Sequence, residues 1–373
     1  MRVLHIYAGN LFGGIETLLI TLAREQNLCP QMQHYFALCF EGRLADELRS
    51  LEANVQILGK VRFSRPWTVC RARQQLQKSL KHLCPHVVIC HELWTYCLAA
   101  PVISRQQLPL VFWMHGWGVG NRWYEILARR IPPDLAIVNS HYTNKTLPLI
   151  FPGYIGHVLY NPVKLQPLNC EQNLIRESIR EVLQTKQNAI VIVITSRMAA
   201  YKGHLVLLEA LGQLQKLPDW ILWIAGGIQQ PSEQEYFVQL KKRVVELGIS
   251  NRVKFLGERS DIPNLLMASD IHCQPNIGAE PFGIAFIEAL YAGLPVITTE
   301  IGAAVEIITE SCGILIPPED VIALANALSD LIKNPNKRYR LGVEGLQRAR
   351  ELSDPTKILG QLHDVLASIT LVN

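Results

Sequence analysis

At 373 residues, 49 % of them apolar and including seven Trp and ten Phe, the chain is too long for one hydrophobic core and too apolar for disorder, so two domains are expected. No apolar run reaches the roughly 18 residues of a spanning helix, and the opening Met1-Arg2-Val3-Leu4-His5-Ile6-Tyr7 meets Gly9 too soon for a signal peptide; the expectation is a cytoplasmic protein. The net charge of +4 divides unevenly: residues 1–163 carry 16 Lys+Arg against 9 Asp+Glu (+7), and the remainder 20 against 23 (−3), so the first half is suited to an anionic partner.

Short Val- and Ile-rich runs alternate with segments of helical period. Residues 3–7, 35–40, 87–90, 110–114 and 135–138 form one series. Residues 190–195, 221–225, 253–256, 271–274, 295–298 and 314–316 form a second. Continuous apolar runs fit parallel strands covered on both faces, and their alternation with helices predicts doubly wound α/β units. The series are separated by Tyr160-Asn161-Pro162-Val163-Lys164 and a polar stretch over residues 169–173, which places a boundary after Val163. A first domain over residues 1–163 and a second over 164–353 are expected. The last helix, about residues 354–368 with the tail to 373, returns to complete the first. Each half is Rossmann-like, with ligands expected at the carboxyl ends of its strands.

The first strand runs into Ala8-Gly9-Asn10-Leu11-Phe12-Gly13-Gly14, after which a helix begins near Ile15. A glycine-rich turn opening a helix can cradle an anion, though this one lacks the G-x-G-x-x-G spacing and a plain tight turn explains it equally well. Further on, Phe112-Trp113-Met114-His115-Gly116 places one histidine at a strand's carboxyl end. In the second half, the strand at 190–195 is followed by Ser196-Arg197-Met198-Ala199-Ala200-Tyr201-Lys202-Gly203 and a helix over residues 205–214. Two cations five residues apart, between strand and helix, are placed to hold a diphosphate; two solvated surface cations are the alternative.

The nine Cys show no C-x-x-C spacing, and several lie inside apolar runs, as reduced buried thiols do. There is no H-E-x-x-H, no clustered Cys/His spacing and no D-x-D, so no metal and no cofactor are expected.

The most specific feature is Glu280-Pro281-Phe282-Gly283-Ile284-Ala285-Phe286-Ile287-Glu288. Glu280 falls in the loop after the strand at 271–274, and Glu288 about two turns into the next helix, with Pro281 in that helix's first turn. Both carboxylates can then accept hydrogen bonds from hydroxyls in one cleft. Ala292-Gly293-Leu294-Pro295-Val296-Ile297 follows directly. E-x7-E before A-G-x-P-V-I resembles the donor-site signature of family 4, group 1 retaining glycosyltransferases of the GT-B fold. The resemblance extends over the chain through the Gly-Gly loop, Val138-Asn139-Ser140, Asn161-Pro162-Val163, Ser196-Arg197, Lys202-Gly203 and Ala225-Gly226-Gly227. Asn161-Pro162 departs from the usual N-G, and Asn276 stands where many relatives have Ser.

That resemblance implies two facing Rossmann-like domains with the active site in the cleft between them. Arg197 and Lys202 would hold the donor diphosphate, Glu280 the sugar hydroxyls and Glu288 the ribose. The Phe282-Gly283-Ile284 backbone would meet sugar and phosphates, Gly13 and Gly14 would close over the site, and His115 would face the transferred sugar. The co-substrate would be a UDP- or GDP-linked sugar and the acceptor a glycan or lipid-linked hydroxyl, in polysaccharide, lipopolysaccharide or glycolipid synthesis, with no nucleic-acid partner. Two other readings stay open: a sugar-nucleotide 2-epimerase of the same fold, and a catalytically silent nucleotide-sugar-binding partner.

Between Glu52 and Glu92 there is no acidic residue, yet Lys60, Arg62, Arg65, Arg71, Arg73, Lys78 and Lys81 fall there. The helical stretch 67–83 carries Val69, Ala72, Leu76, Leu80 and Leu83 on one side. It is either a core-facing helix with a solvated basic face or a patch that docks on anionic lipid, with Phe63 and Trp67 dipping into the interface.

Overall fold

The computed structural model describes residues 1–9, 13–164, 172–217 and 219–370. The chain divides into two compact units, one formed by Met1–Lys164 with the chain from Ser353 on, the other by the residues between.

The first unit is built on seven parallel strands: β1 (Arg2–Tyr7), β2 (Gln33–Leu38), β3 (Asn54–Ile57), β4 (Val87–Cys90), β5 (Leu110–Met114), β6 (Leu135–Val138) and β7 (His157–Val158). Their order is β3-β2-β1-β4-β5-β6-β7, so the winding direction reverses between β1 and β4. Two strands went unforeseen. β3 is a four-residue edge strand in which exposed and half-buried positions alternate, and β7 has only two residues. The run at 35–40 overshoots β2, which ends at Leu38.

Alternate residues of the strands feed two cores. Leu4, Ile6, Val88, Cys90, Phe112 and Met114 face one side, with Val69, Ala72, Leu76 and Leu80 of the helix Pro66–Leu83. Val3, Tyr7, Phe36, Ile89, Val111 and Trp113 face the other, where Leu18, Leu19 and Leu22 pack beside Ile358, Leu359, Leu362 and Leu366 of the C-terminal helix Pro355–Thr370.

The helix Leu93–Arg105 contains Pro101, which has no N–H for the carbonyl of Cys97. Arg73 supplies the missing donor: its Nη2 lies 3.0 Å from Cys97 O, and its Nε lies 2.9 Å from Leu98 O.

The second unit repeats the plan with six parallel strands: β8 (Ile190–Thr195), β9 (Trp220–Ala225), β10 (Val253–Gly257), β11 (Ile271–Gln274), β12 (Val296–Thr299) and β13 (Gly313–Ile316). The order β10-β9-β8-β11-β12-β13 reverses between β8 and β11. A helix, Gln172–Val182, precedes β8, so the polar stretch at 169–173 runs into regular structure; residues 165–171 themselves lie outside the described set. Arg180 of this helix is fully buried and spends its fork on the carbonyls of Ala268 and Ala189 (both 2.9 Å) and on Asp270 Oδ2 (2.7 Å). Arg176 binds Asp270 Oδ1 at 2.7 Å, and Asp270 Oδ2 also accepts the Val191 N–H. Two cations on one carboxylate thus staple the helix to the entrances of β8 and β11.

Candidate functional site

In a doubly wound sheet the loops leaving the two strands at the reversal point cannot cover one another, which opens a crevice there. In the second unit those loops follow β8 and β11, and they carry Arg197, Lys202 and Glu280. The loops are knitted together: Tyr201 O accepts the Ile277 N–H at 2.8 Å. Gly203 makes this approach feasible. Its φ is +78°, and a Cβ there would stand 1.7 Å from Pro275 O.

The result is an ion pair between Lys202 Nζ and Glu280 Oε2, joined by Asn276 Nδ2 at 3.4 Å from the same oxygen. Asn276, the residue that departs from the family's usual Ser, is itself fixed: Thr299 donates to its carbonyl at 2.7 Å, and Gln274 donates to its Oδ1 at 3.1 Å. Only 12 % of the Lys202 side chain and 14 % of Glu280 are exposed, so this is a sheltered pair and not two solvated groups. Burial works against the lysine charge, but Glu280 and Tyr201 outweigh it, and the lysine pKa stands above its ordinary value.

Arg197 is held separately. Its Nη1 lies 3.0 Å from Glu233 Oε1, whose other oxygen accepts the Gln229 N–H at 2.6 Å. Glu233, buried at the start of the helix Pro231–Glu246, therefore aims the arginine.

The helix carrying Glu288 starts later than its sequence suggests. It spans Ile284–Tyr291, because Gly283, with φ of +94°, breaks the helical path. Pro281 accordingly precedes the helix, and Glu288 sits little more than one turn into it. Burial pushes the Glu288 carboxyl up to about 7. Among the described residues no side-chain hydrogen bond or ion pair engages it. Phe282 is buried and Ile284 half-buried.

In the first unit the reversal point lies between β1 and β4. The loop after β1 includes residues 10–12, which lie outside the described residues. Beyond them Gly13 donates its N–H to Glu16 Oε2 at 2.8 Å, and Gly14 opens the helix Gly14–Arg24. Tyr7 donates to Glu16 Oε1 at 2.6 Å, tying that helix to the end of β1. Glu92, after β4, is pushed up to about 7 by burial, with Glu16 adding to the shift.

His115 follows β5. Burial holds its pKa at about 3, so the ring is neutral. Its Nε2 lies 2.9 Å from His91 Nδ1, and Trp113 stacks against both rings at 5.5 Å. The loop beyond it is pinned by Glu125, fully buried, which accepts the N–H groups of Val119, Gly120 and Arg122 at 2.8–2.9 Å.

The basic stretch is less uniform than it reads. Arg62, Arg65, Arg71, Lys78 and Lys81 are exposed, and Trp67 is 67 % exposed. Arg73 is not part of that surface charge, since it is committed to the Cys97 carbonyl that Pro101 leaves without a donor and to the Leu98 carbonyl beside it. Phe63 is likewise occupied, edge-on to Trp94 and Trp123 at 5.4 and 5.2 Å. No helix among the described residues is long and apolar enough to cross a membrane. No group of three or more His, Cys, Asp or Glu among them could hold a metal ion.

Glu233, Glu16, Glu92, Glu125 and His91 escaped the sequence reading. The only signal for any of them was a strand end: Glu92 and His91 follow β4, as His115 follows β5.

Comparison with known proteins identifies the family and the fold. The family described as Glycosyltransferase Family 4 matches residues 12–166, and that described as Glycosyl transferases group 1 matches residues 175–348. The chain is 34 % identical over 153 residues to the phosphatidyl-myo-inositol mannosyltransferase of Mycobacterium leprae (strain TN), a match covering 40 % of this chain and 38 % of that one. It is 31 % identical over 134 residues to the lipopolysaccharide core biosynthesis mannosyltransferase LpsB of Rhizobium meliloti (strain 1021), covering 35 % and 38 %. Each of these matches thus spans well under half of the relative's length. Among solved structures, Anabaena HepE in complex with UDP and glucose superposes with a TM-score of 0.84 at 24 % identity, covering 99 % of this chain and 100 % of that one. WaaG, a glycosyltransferase involved in lipopolysaccharide biosynthesis, gives 0.72 at 18 %, covering 98 % and 99 %. These likenesses show the fold, two Rossmann-like domains of the GT-B type. With its two halves matched in order by the two family descriptions, the chain belongs to the family 4, group 1 glycosyltransferases.

Proposed function

We propose that the chain transfers a sugar from a nucleoside diphosphate sugar, UDP- or GDP-linked, to an acceptor hydroxyl, with retention of anomeric configuration and without a metal. The observation that carries this is the sheltered Lys202–Glu280 pair at the reversal point of the second sheet. A fixed cation there suits a diphosphate, and the carboxylate it would release suits sugar hydroxyls. Arg197, aimed by Glu233, adds a second cation. Glu288, its carboxyl pushed up to about 7 by burial and without a partner among the described residues, suits a ribose hydroxyl. Gly13 and Gly14 are assigned to closure over the donor, and His115 is the residue of the first unit assigned to the transferred sugar. The departing diphosphate takes the acceptor proton, and no covalent nucleophile is required.

The acceptor is proposed to be glycan or lipid-linked. The relatives' names support this: one acts on phosphatidyl-myo-inositol, and another in lipopolysaccharide core biosynthesis. The exposed cations Arg62, Arg65, Arg71, Lys78 and Lys81, with Trp67, support contact with an anionic membrane surface.

The test is nucleotide release from a panel of UDP- and GDP-sugars in EDTA, with and without lipid and glycan acceptors. Release that needs an acceptor, with the product anomer matching the donor, is expected. Release of nucleotide and an altered free sugar without acceptor would make the chain an epimerase. Binding without release would make it a silent partner. Loss of activity in EDTA with recovery on adding Mn²⁺ would overturn the metal-free part.

A further inference from the structure

A file of four imidazoles crosses the first unit. His34 Nδ1 lies 2.9 Å from His5 Nε2, His5 Nδ1 lies 2.9 Å from His91 Nε2, and His91 Nδ1 lies 2.9 Å from His115 Nε2. Neighbouring ring centroids are 5.1–5.2 Å apart. His34 is the second residue of β2, His5 lies within β1, and His91 and His115 directly follow β4 and β5. The file therefore runs from the amino-terminal part of the sheet to its carboxyl edge. Its two outer nitrogens, His34 Nε2 and His115 Nδ1, are both shielded from solvent and have no hydrogen-bond partner among the described residues.

Each junction joins one Nδ1 to one Nε2. A nitrogen–nitrogen distance of 2.9 Å between two imidazoles needs a proton on one side and a lone pair on the other. All four rings are neutral at neutral pH. Burial lowers His115 to about 3 and His34 to about 4, and holds His5 and His91 well below the ordinary value. Each ring therefore carries one proton. If His115 holds it on Nε2, it donates to His91 Nδ1, and His91, His5 and His34 must also hold theirs on Nε2. If His115 holds it on Nδ1, all four hold it on Nδ1. Any mixed arrangement sets two protons or two lone pairs against each other. The serial pairing is that of a hydrogen-bonded file and not of a metal site.

We propose that His34, His5, His91 and His115 form a single tautomeric unit, in which His34, His5 and His91 are positioning residues that must change tautomer together with His115 when ligand binding uncovers His115 Nδ1 and the transferred sugar meets it. The proposal rests on the assignment of His115 to the sugar. Changing from one state to the other brings one proton in at one outer nitrogen and releases one at the other. Every ring keeps a single proton throughout, and no bond but N–H bonds changes. A sugar hydroxyl that donates to His115 Nδ1 selects the state with all protons on Nε2. One that accepts from it selects the opposite state. Trp113, stacked on His91 and His115, keeps the ring planes from turning out of register.

The experiment is nitrogen-15 NMR of the full chain with labelled histidine, reading the tautomer of each ring, together with steady-state kinetics. In the unaltered protein the four rings are expected to show the same tautomer fractions. His5→Phe removes a donor and an acceptor from the middle of the file. It should let the fractions at His34 differ from those at His91 and His115, and lower kcat about tenfold with donor KM unchanged. His5→Gln keeps a donor at one end and an acceptor at the other, so it should restore equal fractions and most of kcat. Differing tautomers among the four rings of the unaltered protein would overturn the coupling, with no variant needed. So would tautomer fractions that stay equal at His34 and His115 in a folded His5→Phe protein. Full turnover in His115→Ala would instead overturn the assignment of His115, whatever the spectra show, so the two failures are told apart.

Discussion

Behind the carboxyl edge of its sheet the first unit lines up four buried neutral histidines in one hydrogen-bonded file, whereas the second, on the same winding, keeps its buried His204 and His272 apart and shelters ion pairs, Arg180 with Asp270 and Lys202 with Glu280, beside a partly exposed Arg197 held by buried Glu233. The two devices satisfy buried polar atoms at different risk. A neutral file costs little desolvation, but each ring dictates the tautomer of the next. A buried pair keeps full charges in place, and losing one partner strands the other. The Lys202–Glu280 pair sits where an anionic ligand is expected, because a phosphate can replace a carboxylate as the partner of a lysine. A neutral ring sits where an uncharged sugar is expected.

The largest effect should come from breaking the deepest pair. Asp270→Ala strands Arg180 and Arg176 and should destabilise the second unit by about 3–5 kcal/mol. Hydrogen exchange followed residue by residue should then rise in the second unit and stay unchanged in the first. Equal loosening of both would erase the contrast drawn between them.

Next in size, Lys202→Ala and Glu280→Ala should each lower turnover by about 10²-fold or more. Their shelter ties them to stability as well: either Lys202→Met or Glu280→Gln alone should lower the melting temperature more than the two changes together. An additive double variant would mean that the pair is not coupled.

Protonation distinguishes the units more gently. In the first unit His115 and His34 titrate at about 3 and about 4 when folded, with His5 and His91 also well below the 6.5 of the unfolded chain; the second unit has two such rings, His204 and His272, each at about 3. Below pH 6.5 the unfolded state binds more protons, so the stability these groups contribute above that pH is lost as pH falls toward 4. Glu288 of the second unit and Glu92 of the first run the other way and offset one another in the comparison, each at about 7 folded against 4.5 unfolded. Between those values the folded carboxyl keeps a proton that the unfolded chain has released, so its contribution falls as pH rises. A urea series read by exchange at pH 4.5 and 6.5 should show the first unit losing more stability on acidification, and His5→Phe should shrink that loss.

The smallest effect concerns the surface. Arg71, Lys78 and Lys81 changed together to Glu should abolish salt-sensitive binding to vesicles containing anionic lipid and leave nucleotide binding unchanged. Arg73 is omitted because its change would free the carbonyls near Pro101 instead. If the unaltered protein ignores such vesicles at low salt, the basic face is solvated helix and a soluble acceptor becomes the better proposal.

Much of this architecture is legible from composition and periodicity, because a strand covered on both faces must read as an unbroken apolar run. β4, β5, β6 and β9 do, and β8 does as far as its last residue, whereas His5 interrupts β1 and His272 interrupts β11. β3 and β7 do not, being an edge strand with exposed positions and a two-residue ladder. Lys202 and Glu280 were each visible in local motifs, but their pairing was not, since 78 residues separate them and only the adjacency of β8 and β11 brings them together. The histidine file was less visible still. Each of its members sits in an ordinary strand or strand end, and nothing at 5, 34, 91 or 115 marks the others. Glu233 and Glu125 read as helix-surface carboxylates until their backbone partners are seen. Local chemistry was written locally, whereas its wiring was written in the strand order.

The central claim is that Lys202 exchanges Glu280 for the donor diphosphate, and titration calorimetry with UDP and GDP tests it most directly. Lys202→Met should weaken binding of the preferred nucleotide about tenfold or more. Glu280→Gln, which frees the lysine, should bind it at least as tightly as the unaltered protein while failing to turn over the sugar donor. Unchanged nucleotide affinity in Lys202→Met, or a loss in Glu280→Gln equal to that in Lys202→Met, would contradict the account.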